Sequence, residues 1–212
     1  MVGESTILYL PATPDSRGEA AQRLALMTGA RVVPARYRPT FPAALHDAVR
    51  GYQRCEGPVV VAGERLGAGL AAALLVRLRD SGAPLPRCAV LVSALLDLTL
   101  EAKSLLLNAC AEPDLDVAGL RRCAADYAGG ADRTDPLVSP VYANLHGLPP
   151  IQLLVAGTDP LLDDSLAFAT RAARSGVTVD LRTWPDAAAL TAAAPATIAT
   201  FVATWSPETA VR

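Results

Sequence analysis

Six short apolar, β-rich runs recur along the chain: STILYL (5–10), ARVVPARY (30–37), PVVVAG (58–63), CAVLVSA (88–94), IQLLVAG (151–157) and VTVDLRTW (177–184). Between most of them lie stretches of helical periodicity, at about 16–28, 41–54, 66–81, 162–175 and 190–204, most ending near glycine or proline. Near-continuous apolar strands alternating with amphipathic helices predict an α/β fold, with about six mostly parallel strands covered by helices on both faces. The alternation breaks at 97–147, where two helical patches lead into the proline-punctuated TDPLVSPVYANLHGLPP. An insertion of this kind sits above the carboxyl ends of the strands, so a small partial lid is predicted there, within one domain spanning 1–212.

Composition narrows the function classes. A net charge of -2 over 212 residues and a pI near 5.7 leave no basic field for nucleic acid or anionic lipid. The longest apolar stretch, 66–76, is too short to span a bilayer. The amino-terminal MVGESTILYLPATPD lacks the basic region of a signal peptide, which makes the cytoplasm the default expectation. Cys55, Cys88, Cys110 and Cys123 show no metal-ligand spacing, so reduced thiols are expected and neither a metal nor a cofactor is implied. Basic residues are arginine apart from Lys103, and alanine is abundant, a composition suggesting a GC-rich genome such as an actinomycete's.

The stretch VVVAGERLGAGLAAALL (59–75) reads as a buried strand, a glycine-bracketed turn and an alanine-rich helix. Together with TGARVVPARYRPTFPAALHDAV, GAGLAAALLVRLRDSGAPLPRCAVLVSALLDLT and YAGGADRTDPLVSPVYANLHGLPPIQLLVAGTDPLLDDS, it resembles the hormone-sensitive-lipase-like branch of the α/β hydrolases, which includes acetyl esterases and carboxylesterases.

That resemblance implies positions for each catalytic part. The nucleophile's place, in the middle of G-x-S-x-G, falls in Gly63-Glu64-Arg65-Leu66-Gly67, where Arg65 has no lone pair with which to attack a carbonyl. The base falls at about Ala188 or Ala189, and the two histidines, His46 and His146, match no catalytic loop. The H-G-G-G oxyanion loop aligns with Pro11, Ala12, Thr13 and Pro14, two of which lack an N–H. Asp159 occupies the place of the triad acid, where it either caps the following helix or pairs with Arg65 across the vacated space. The resemblance also implies truncation at the amino terminus. The loss would widen the pocket and leave ARVVPARY as an open sheet edge, blunted by Pro34.

These residues are expected to mark a catalytically degenerate family member that binds a small apolar ligand or a protein partner. Arg65, Glu64, Asp159, Pro11 and Ala12 are the ligand-binding candidates, and a homodimer or hetero-oligomer could form through the open edge. Two alternatives stay open. One is a non-hydrolytic enzyme performing cyclisation, dehydration or isomerisation, with Arg65 as electrophile and Asp159 or Glu64 as base. The other is an active esterase with Ser93, Ser139 or Ser165 as nucleophile.

Overall fold

The computed structural model describes residues 5–14, 18–111 and 116–205. The opening MVGE and the first two residues of the helix expected at 16–28 lie outside them. All six apolar runs form strands: β1 (Thr6–Leu10), β2 (Arg31–Pro34), β3 (Val59–Glu64), β4 (Cys88–Val92), β5 (Ile151–Ala156) and β6 (Val179–Trp184). They make one wholly parallel sheet in the order β2-β1-β3-β4-β5-β6. The run ARVVPARY therefore does lie at an edge, shortened to four residues that end at Pro34.

Helices cover both faces, as a parallel sheet requires. α1 (Glu19–Thr28) and α7 (Ala187–Thr204) pack together on one face, over Ile7, Tyr9, Val60, Ala62, Val90 and Leu154. α2 (Ala43–Gln53), α3 (Leu66–Asp80) and α6 (Leu162–Arg174) lie on the other, over Leu8, Leu10, Val61, Leu91 and Leu153. The period-two alternation that assigns each strand residue to a face is hidden in the sequence, because both sets are apolar. α3 is buried on nearly every side, which explains its run of alanine, leucine and glycine.

Within 97–147 the chain forms α4 (Ser104–Leu107), α5 (Val117–Ala128) and a single 3₁₀ turn at Pro140–Tyr142. α5 is capped by Asp116, whose carboxylate accepts the N–H groups of Ala118 and Gly119. Asp164, on α6, accepts the N–H groups of Leu96 and Asp97 and so fastens the start of this segment to the body of the fold.

α7 corrects the expectation of a loop through WPDAAALTAAAP. The helix begins at Ala187, with the Asp186 carboxylate accepting the N–H of Ala189, and it accommodates Pro195 in its interior. By length and composition α7 could cross a membrane. In the fold, however, its Leu190, Ala194, Ile198, Phe201 and Val202 form a buried seam at helical spacing against the sheet.

Candidate active site at the strand-to-helix turn

The turn between β3 and α3 carries a strained backbone. Arg65 sits at φ 49°, ψ −115°, a conformation unfavourable to any residue with a Cβ. Its amide donates to the Val92 carbonyl at 3.0 Å, and its own carbonyl accepts from Leu95 at 3.1 Å, so the turn is clamped to the end of β4. Two glycines make room for it. A Cβ on Gly67 would lie 2.2 Å from the Leu10 carbonyl oxygen, and one on Gly63 would lie 2.4 Å from that of Gly67. The geometry is that of a nucleophile elbow with arginine at the apex.

Two cavities meet at Arg65. The first, of about 240 Å³, opens between the carboxyl end of the sheet, α1 and α7, and is lined by Tyr9, Arg23, Glu64, Arg65 and Ser93 with apolar walls that include Leu190 and Ile198. The second, of about 330 Å³, lies beneath α5 and is lined by Ala12, Thr13, Arg65, Leu66, Asp116 and Cys123 among others. Glu64 reaches the first because it continues the Val60, Ala62 side of β3. The Tyr9 phenol, on the same face, has its pKa pushed well above the usual range. Burial is the main cause, followed by the negative charge of the nearby Glu64 carboxylate.

The Arg65 guanidinium makes no hydrogen bond or ion pair with any described residue. The pairing expected between Arg65 and Asp159 is therefore not formed. Asp159 is buried and its carboxylate instead accepts the N–H of Leu161 at 2.8 Å, in a turn that leads into α6. Ala189 lies in the first turn of α7, beside rather than within the cavity wall formed by Ala187 and Leu190. Pro11 is buried, and its carbonyl accepts the Tyr37 hydroxyl at 2.7 Å. His46 and His146 are exposed and line neither cavity.

The three serines separate cleanly. Ser139 is buried, donates to the Arg133 carbonyl and accepts from Leu98. Ser165 is buried on α6, and its hydroxyl has no hydrogen-bond partner among the described residues. Ser93 alone lines the cavity with Glu64 and Arg65, just past β4 at φ 45°. Sequence reading missed Tyr9 and Arg23 as site residues. No local signal marks either, since they come from a strand and a helix that only the fold brings to one cavity.

An open parallel sheet with a strained strand-to-helix apex defines an α/β hydrolase architecture, and the comparisons agree. The chain belongs to the alpha/beta hydrolase fold family, whose model matches residues 8–189. It is 39% identical over 197 residues to an acetyl-hydrolase of Streptomyces hygroscopicus, covering 85% of this chain and 66% of that one. It is 32% identical to a putative acetyl-hydrolase, LipR, of Mycobacterium tuberculosis, covering 78% and 56% respectively. The chain thus spans slightly under two thirds, and just over half, of the lengths of these relatives. Among solved structures it superposes on an esterase of the bacterial hormone-sensitive lipase family with a TM-score of 0.86 at 32% identity, covering 95% of this chain and 76% of that one.

The hormone-sensitive-lipase-like resemblance is borne out by these matches. The expectation of a catalytically degenerate protein that works only by binding is overturned by them, because the relatives and structural neighbours are acetyl-hydrolases and esterases. That expectation treated each replaced catalytic position as a lost function. It took no account of the polar groups that the fold gathers around the apex.

Proposed function

We propose that this chain hydrolyses carboxylic esters of short acyl groups in the cavity between α1 and α7. The observation that carries the reading is Arg65, held at the elbow apex at φ 49° with its guanidinium unpartnered among the described residues, in the same cavity as the Glu64 carboxylate. Names of relatives as acetyl-hydrolases support the substrate class.

In this mechanism the ester carbonyl oxygen accepts hydrogen bonds from Arg65, whose fixed charge stabilises the negative charge that develops on it. The amino end of α3, directly after the apex, adds a partial positive charge of the same use. Water attacks the acyl carbon, forming the new C–O bond, while Glu64 takes its proton. The bond to the leaving oxygen then breaks, Glu64 returns the proton to that oxygen, and the products are an acid and an alcohol. Tyr9 lines the same cavity beside Glu64.

A second reading, favoured by the placement of Ser93 in the same cavity, makes its hydroxyl the attacking group and Glu64 the base. One set of assays tests both. Hydrolysis of p-nitrophenyl acetate should exceed the blank and fall about a hundredfold or more in Arg65→Ala and Glu64→Gln. Resistance to a serine-directed phosphonate supports water, whereas covalent inhibition that Ser93→Ala abolishes supports Ser93. Failure to turn over acetyl and butyryl esters alike would refute ester hydrolysis.

A further inference from the structure

The charges that line the α1–α7 cavity do not balance. Among the described residues that line it are Arg23 and Arg65 and one carboxylate, that of Glu64. Arg23 stands on α1, one residue before the buried Leu24, and lines the cavity while its side chain stays about half exposed to solvent. Its ion-pair partner, Glu19, is 4.0 Å away, almost fully solvent-exposed and not part of the cavity wall. A pair of this kind holds a guanidinium weakly. Two arginines from different elements thus converge on one space, and neither is engaged by a strong partner.

Leu24, Val92, Leu190, Ala194 and Ile198 supply apolar wall to the same cavity, beside the polar Tyr9, Ser93 and Thr191. The cavity, of about 240 Å³, has room for a small molecule. A short chain carrying two polar groups joined by hydrocarbon matches a lining that combines two guanidinium groups with apolar wall.

Resting on the ester-hydrolase reading above, we infer that the preferred substrates are esters whose acid part carries a second, free carboxylate, bound by Arg23 while Arg65 holds the ester carbonyl. The hydrocarbon between the two groups lies along the apolar wall. Guanidinium suits this role, because it offers a carboxylate two parallel hydrogen bonds. A neutral ester of equal length would leave Arg23 without its anion, so discrimination comes from charge rather than from shape.

The test compares monomethyl succinate with methyl butyrate, followed by proton release, in the wild type, Arg23→Ala and Arg23→Lys. kcat/KM should favour monomethyl succinate about tenfold in the wild type. The preference should fall to about unity in Arg23→Ala and return in part in Arg23→Lys. Melting temperature with millimolar monomethyl succinate gives a readout that does not depend on turnover, and it should rise in the wild type but not in Arg23→Ala.

Turnover of both esters without preference would overturn the inference and leave ester hydrolysis standing. Absence of turnover, with stabilisation that depends on Arg23, would support the anion site and refute ester hydrolysis. A wild type that neither prefers nor is stabilised by monomethyl succinate overturns the inference. Arg23 lies on a solvent-facing stretch of α1, and Arg23→Lys guards against any loss of folding.

Discussion

Asp164 and Leu96 are joined across 68 positions of sequence. The buried carboxylate of Asp164 accepts the Leu96 N–H at 2.8 Å, and with the same oxygen the Asp97 N–H at 3.0 Å. The contact ties α6 to the segment that leaves β4, immediately beyond the residues that clamp the Arg65 turn. Burial pushes the Asp164 pKa up from 3.8 to about 7, although the two N–H groups pull it back toward the ordinary range.

Because the folded pKa is raised, the folded state binds the extra proton between about pH 4 and pH 7. The contribution to stability is fully present below pH 3.8 and is lost as pH rises through 7, and its size is up to roughly 4 kcal/mol. Asp164→Asn keeps an acceptor oxygen without the titrating proton. In urea unfolding at a series of pH values, the difference between wild type and Asp164→Asn should change across this window and level off above it. A constant difference from pH 4 to pH 8 would show that Asp164 does not titrate in the folded state.

Strain at the apex can be separated from its chemistry. Glycine adopts the backbone of Arg65 without penalty, and relief of strain worth about 1–3 kcal/mol outweighs the entropy cost of glycine, about 0.5–1 kcal/mol. Arg65→Gly should therefore raise the melting temperature while abolishing ester hydrolysis. An unchanged or lower melting temperature would mean that the arginine side chain stabilises the fold by more than the strain costs.

Gly67 tests the packing beneath the turn. A methyl group there would meet the Leu10 and Pro11 carbonyl oxygens at 2.2 and 2.3 Å, at the last residue of β1 and the one after it. Gly67→Ala should destabilise by about 1–3 kcal/mol or more in chemical denaturation, and should lower ester turnover by shifting the apex. Wild-type stability in this variant would show that the strand end yields easily.

The four cysteines give a direct measure of burial. All are free: Cys110 is exposed, Cys55 and Cys123 are half-buried, and Cys88 is buried with its thiol pushed up to about 12. A thiol reagent at neutral pH should label Cys110 first and leave Cys88 unmodified until the protein unfolds. Rapid labelling of Cys88 would be incompatible with its place in the sheet.

Sequence alone determined the six strands, the α/β class and the elbow, because runs of branched apolar residues and the Gly63, Gly67 bracket are local signals that any fold must obey. The family resemblance, rather than any local signal, placed ARVVPARY at a sheet edge, where Pro34 removes a ladder donor. Only the tertiary structure decided that Asp159 turns toward Leu161 and away from Arg65, and that Ala189 belongs to a helix. Nor could sequence place Tyr9, Arg23, Glu64, Arg65 and Ser93 in one cavity. Those residues come from β1, α1, β3, the elbow and the end of β4, and their convergence depends on strand order and helix docking. Both are settled by burial of apolar faces over the whole domain, which leaves no mark at any single position.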